Sequence, residues 1–137
     1  MIDETVREIE EMQTQSSSVV AVKAARALGD VVERDHPTVS EFLVDVERSS
    51  NALRRANHSH APLYTSQRRI VEAVSEPEPE TVAAGKERLT DAIDAVVSEI
   101  ESSKDAAAER AATLVDDGDT VLTHENSSTV MATVDHA

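Results

Sequence analysis

The residues best placed to do chemistry lie near the C-terminus. There Asn126-Ser127-Ser128-Thr129 closes a polar turn that begins at His124 and follows the β-branched run Thr120-Val121-Leu122-Thr123. Side-chain hydroxyls and free backbone N–H groups at a helix N-terminus make a natural phosphate cradle, and these four residues stand where such a helix would open. Serine and threonine are also ordinary N-caps, so the spacing carries two readings, a ligand cradle and a plain cap. The histidines, His36, His58, His60, His124 and His136, are dispersed. His58-x-His60 could begin a metal site, but zinc takes three or four ligands and no second cluster supplies them. Both read as polar loop residues, and no metal is expected. His124 is expected to position the turn by hydrogen bonding. The chain has no cysteine, hence neither a thiol nucleophile nor a disulfide framework. It contains no Gly-rich phosphate loop, nucleophile elbow or metalloprotease helix, and no cofactor is expected.

The elements that must position these residues are mostly helical. Ile2, Val6, Ile9 and Met12 recur at steps of three or four, the stripe of a short amphipathic helix. After a polar break, Ser16 or Ser17 reads as the cap of a second helix that buries Val19, Val22, Ala25, Leu28 and Val32. Thr38 with Glu41 reads as a capping box opening a third helix, with Val39, Phe42, Leu43, Val46 and Leu53 on its apolar side. A non-helical stretch from Asn57 to Pro62 precedes a fourth, marked by Leu63, Ile70, Val71 and Val74. Beyond the Glu76-Pro77-Glu78-Pro79-Glu80 break, apolar positions continue from Val82 to Leu114. At about 1.5 Å per residue that helix is roughly 50 Å long, and the spacing predicts a bend or break around Ser102-Ser103. Gly118 reads as its left-handed cap. Thr120–Thr123 then reads as a buried strand, and Thr129–Ala137 as the next helix. The expected architecture is mainly α: a helical domain of about five helices over residues 1–115, then over 116–137 the first strand, turn and helix of an incomplete Rossmann-like α/β domain, whose parallel sheet would need further strands.

Composition narrows the function classes. The 137 residues carry 27 acids against 13 bases, a formal net charge of −14. Such a chain repels the nucleic-acid polyanion, and Arg54-Arg55 and Arg68-Arg69 are too short to act as a basic patch, so no direct nucleic-acid partner is expected. Only Phe42 and Tyr64 are aromatic, so the core must come from Val, Leu, Ile and Ala. Abundant acid with few lysines suggests a salt-rich, halophilic cytoplasm where like charges are screened. No apolar run reaches the ~20 residues of a membrane span, and the acidic N-terminus lacks a signal peptide's positive region. The protein is expected to be cytoplasmic, with no membrane partner.

Asp117-Gly118-Asp119-Thr120-Val121-Leu122-Thr123-His124-Glu125-Asn126-Ser127-Ser128-Thr129-Val130 resembles a signature of the family that holds the alpha, beta and delta subunits of initiation factor 2B, ribose-1,5-bisphosphate isomerase and methylthioribose-1-phosphate isomerase. Upstream, Ile9-Glu10-Glu11-Met12, Ser16-Ser17-Ser18 and Ala24-Ala25-Arg26-Ala27-Leu28 follow the spacing of that family's first helix, small-residue loop and second helix. Ala56 to Leu63 falls at its "ARPTAVSL"-like segment. The resemblance implies a helical N-terminal half joined to a Rossmann-like C-terminal half, here a truncated haloarchaeal member. It also implies a ligand site drawn from Ser16, Ser17, Asn126, Ser127, Ser128 and Thr129.

The departures bear on catalysis. Gln15 and Asn57 stand where the isomerases carry phosphate-gripping arginines, and neutral amides replace bidentate guanidiniums. Glu125 stands where they carry the proton-accepting cysteine. The resemblance thus implies a non-catalytic regulatory or binding protein of the initiation factor 2B type, tied to translation initiation and taking a nucleotide or sugar phosphate when complete. Its expected partner is another protein or a second copy, through a C-terminal half. Two alternatives stand beside it: a sugar-phosphate isomerase with Glu125 as general base, and a stand-alone acidic helical adaptor.

Overall fold

Apolar residues spaced for helices have to bury their stripes against one another, and here they do so in a bundle. The computed structural model describes residues 2–12, 15–124 and 127–137, which form α1 (Ile2–Glu11), α2 (Ser17–Leu28), a 3-10 turn (Gly29–Glu33), α3 (Val39–Arg55), α4 (Ala61–Ser75), α5 (Val82–Ala112) and α6 (Ser128–His136). The core gathers Ile9, Val20, Leu28, Val31, Phe42, Leu53, Leu63, Ile70 and Leu89, all fully buried. Helix α2 lies against α4 and α5, α3 against α4, and α6 along α5. No helix among the described residues is long and apolar enough to cross a membrane.

Local chemistry sets the helix starts. The Glu41 N–H donates to Thr38 Oγ1 (3.1 Å) at the head of α3, one arm of the expected box; the reciprocal carboxylate arm is not formed among the described residues. Thr81, which the apolar spacing did not reveal, caps α5 by accepting from the Ala84 N–H (3.0 Å).

Several expectations need correction. The buried face of α2 is Val20, Ala21, Ala24, Ala25 and Leu28, whereas Val19 is 42% exposed. Ala25 and Leu28 are buried as expected, but the face is turned toward Val20, Ala21 and Ala24, with Val22 only half-buried and Val32 beyond the helix in the 3-10 turn. Helix α5 runs unbroken through Ser102 and Ser103. Both are exposed, and the Ser102 hydroxyl donates to the Glu99 carbonyl (3.4 Å) within its own turn. Gly118 does adopt a left-handed φ of 92°, but in a turn closed by Asp119 N–H to the Asp116 carbonyl, beyond the end of α5. The strand expected at Thr120–Thr123 is absent. Leu122 is 95% exposed, and no strand occurs among the described residues. A ladder needs a partner to satisfy backbone groups on at least one edge, and no described segment offers one.

A polar clasp fixes the corner between the 3-10 turn and α3. The Asp45 carboxylate accepts from His36 Nε2 (2.8 Å) and Arg34 Nη1 (2.8 Å), while the His36 ring meets Phe42 edge-on at 5.3 Å. Burial opposes ionisation of Asp45, but hydrogen bonds from His36 and Arg34, with their charges, outweigh it and hold the carboxyl below the usual range. A carboxyl lowered in the folded state stabilises the fold above the ordinary carboxylate range, and that contribution disappears as pH falls through the folded value. Asp45→Asn is therefore expected to cost on the order of 1–3 kcal/mol near pH 7. The gap to wild type should narrow at pH 3, as urea unfolding followed by circular dichroism at the two pH values would show.

Gly85 on α5 leaves room for the Phe42 ring. A Cβ there would lie 2.6 Å from Phe42 Cε1 and 3.3 Å from Pro79 Cγ. Alanine ordinarily favours a helix interior over glycine by about 0.5–1 kcal/mol. Here Phe42 is fully buried and cannot retreat, so Gly85→Ala is expected to destabilise by about 1–3 kcal/mol. An unchanged or raised Tm would contradict the packing.

Candidate ligand-binding site

Two helix N-termini far apart in sequence meet beside the middle of α5. Ser16 stands at the N-cap of α2, yet its hydroxyl makes no capping bond. It lies instead 3.1 Å from the Ser18 hydroxyl and 2.9 Å from that of Ser128, and Ser18 lies 2.7 Å from Ser128. The three hydroxyls form a closed triangle that ties the first turn of α2 to the first residue of α6. The N–H groups of Ser17, Ser18 and Val19 precede the first intrahelical bond of α2, Val20 N–H to the Ser16 carbonyl, and receive no side-chain cap. At α6 the Val130 N–H donates to Ser127 Oγ across a long 3.4 Å.

These ends border an open cleft of about 400 Å³, whose lining includes Ser16, Ser17, Ser18, Ser127, Thr129 and Lys104. A smaller hollow of about 220 Å³ adjoins it and shares Ser18, Ile100 and Lys104. Pro62 reaches the cleft from the head of α4, and Glu99 and Ser103 from α5. Glu99 is held by Arg69 Nη2 at 2.6 Å, and that guanidinium keeps its carboxyl below the usual range. Lys104 has no ion-pair partner among the described residues. One free ammonium, two helix N-termini and a set of hydroxyls thus face a common space. Donors and positive charge so arranged can receive a small anion.

Of the residues singled out in the sequence, Ser16, Ser17, Ser127 and Thr129 line this cleft, and Ser128 belongs to the triangle beside it. Glu125 and Asn126 lie outside the described residues. Gln15 is exposed and Asn57 is buried, and neither lines the cleft. The Asn57 Oδ1 accepts from the Ser59 N–H (3.1 Å) and hydroxyl (2.7 Å), fixing its loop. His58 is exposed and His60 stands at the N-cap of α4. Sequence reasoning missed Ser18, Ser103 and Lys104. Only the scarcity of lysine marked Lys104, because its neighbours across the cleft are remote in sequence.

Comparison with known proteins follows the same outline. A family model described as the initiation factor 2 subunit family matches residues 13–137. A crystal structure of Pyrococcus horikoshii OT3 translation initiation factor eIF-2B is similar at a TM-score of 0.79 and 26% identity, covering 97% of this chain and 44% of that one. The delta subunit of translation initiation factor eIF-2B from A. fulgidus shares the fold at a TM-score of 0.75 and 19% identity, covering 98% of this chain and 43% of its own. This chain therefore spans less than half the length of either structure. No curated protein sequence matches it.

Proposed function

Because the chain belongs to the initiation factor 2 subunit family, we propose that it is a non-catalytic binding module of that family whose cleft takes the phosphate of a nucleotide or sugar phosphate. The observation that carries the reading is the first turn of α2. Its N-cap hydroxyl is turned away from capping, and its N–H groups stand beside the unpaired Lys104. In a chain of net charge −14, an ammonium without a counter-ion beside the uncapped first turn of α2 favours an anion.

Non-catalysis is supported by Gln15 and Asn57, which replace the arginines of the isomerases and stand away from the cleft. We take residues 1–115 as a helical N-terminal domain and 116–137 as the opening of a Rossmann-like half. In that half Thr120–Thr123 becomes a strand once further strands pair with it. Both similar structures are more than twice as long, which supports such a continuation. The second similar structure is described as a subunit, which supports a protein partner here, met through that half in the cytoplasm.

The test is thermal unfolding with inorganic phosphate, ribose 5-phosphate, ribose 1,5-bisphosphate and nucleotides, at ionic strength matched with chloride to separate binding from screening. A ligand at 100 times its Kd should add about 2.7 kcal/mol of stability. Lys104→Met should weaken binding about tenfold through loss of the charge-assisted contact, with a smaller loss for Ser127→Ala. A flat response to every phosphate would leave only the protein-partner role.

A further inference from the structure

Polar groups that the core leaves unpaired gather along one seam. Gln67 and Ser50 are fully buried, and neither the Gln67 amide nor the Ser50 hydroxyl has a hydrogen-bond partner among the described residues. The neighbouring buried serines are provided for: Ser49 donates to Asp45 Oδ1 (3.4 Å) and Ser66 to the Leu63 carbonyl (3.1 Å). An amide buried without partners is costly, because it gives up its hydrogen bonds to solvent for nothing in return. Three further unpaired buried atoms, Arg54 Nε, Asn57 Nδ2 and His60 Nδ1, lie toward the connection between α3 and α4.

The pairing of the two helices sets Ser50 and Gln67 opposite one another. Helices α3 and α4 pack together and are joined by residues 56–60, so the second runs back along the first. Val46 of α3 and Val71 of α4 line the same hollow. Ser50 lies one turn beyond Val46 and Gln67 one turn before Val71, and both steps lead toward the connection. Side chains four apart share a helix face, so Ser50 and Gln67 face each other across the seam at the next level. The chemistry of the pair selects its ligand. The amide offers two N–H donors and a carbonyl acceptor, and the hydroxyl offers one donor and two lone pairs. An anion takes donors alone and a metal ion acceptors alone; water takes both.

We propose that Ser50 and Gln67 hold an ordered internal water between α3 and α4. It satisfies the amide and the hydroxyl together, on a seam where the buried side chains of Val46, Leu53, Leu63 and Ile70 bring no polar atoms. The water also pins the register. A slip of α4 by one turn would set Gln67 against Val46 and strand its amide, so the polar pair selects one pairing of the helices. The site is separate from the cleft, whose lining includes neither residue.

The test is water-selective nuclear Overhauser spectroscopy on the isotope-labelled 137-residue chain. Both Gln67 side-chain N–H protons should cross-relax with water, with the sign of a molecule held as long as the protein tumbles. A double-mutant cycle read by urea unfolding adds the coupling. Ser50→Ala should raise the unfolding equilibrium constant about tenfold in the wild-type background, because the water and Gln67 lose a partner. In a Gln67→Leu background the same substitution should change it by less than about twofold. That difference separates a shared water from two groups buried independently. A Gln67 amide without cross-relaxation to water overturns the proposal, as does a Ser50 hydroxyl proton found bonded directly to that amide. Equal effects of Ser50→Ala in the two backgrounds overturn it too. If Gln67→Leu fails to fold, the wild-type spectrum decides by itself.

Discussion

The close seating of α2 against α4 and α5 is the constraint from which the other features follow. Ala21, Ala24 and Ala25 are fully buried on that face with Val20 and Leu28. Small side chains bring helix axes together, while the branched ones supply the apolar area, each worth about 1.5–3 kcal/mol when fully buried. With α2 held on this bed, its N-terminus has one place to be, beside the middle turns of α5. Ser16, Ser17 and Ser18 therefore meet Ile100, Ser103 and Lys104.

Charge gives that meeting place its character. Five cations of this acidic chain are taken up by neighbouring carboxylates: Lys23 by Glu8, Arg26 by Glu101, Arg34 by Asp45, Arg68 by Glu72 and Arg69 by Glu99. Arg54 lies over the Tyr64 ring, and Arg88 donates to the Pro77 carbonyl. Lys104 is not neutralised in this way, and it stands where two helix N-termini add their partial positive charge. The cleft is thereby set apart from its acidic surroundings by a few well-placed groups.

Much of the helical framework was legible in the sequence because helix signals are local. Apolar period, a capping threonine such as Thr38 and the Glu/Pro break all act within a few residues, where i to i+4 energies decide the outcome. Gly118 was legible for the same reason, since its left-handed φ answers to backbone sterics at one position. The family resemblance, carried by Asp117 to Val130, pointed to Ser127 and Thr129, and both border the cleft.

What only the tertiary structure decided is non-local. Which face of α2 is buried depended on two neighbouring helices, which turned it from Val19 and Val22 toward Val20, Ala21 and Ala24. The fate of Thr120–Thr123 depended on a partner strand, because β-propensity is expressed only when another segment completes the ladder. The convergence of Ser16 and Ser18 with Ser128, more than a hundred residues apart, and the placing of Lys104 beside them came from packing whole helices. The sequence determined the elements and the kinds of groups at their ends; the bundle determined which ends face one another, because that geometry is set by contacts no local stretch contains.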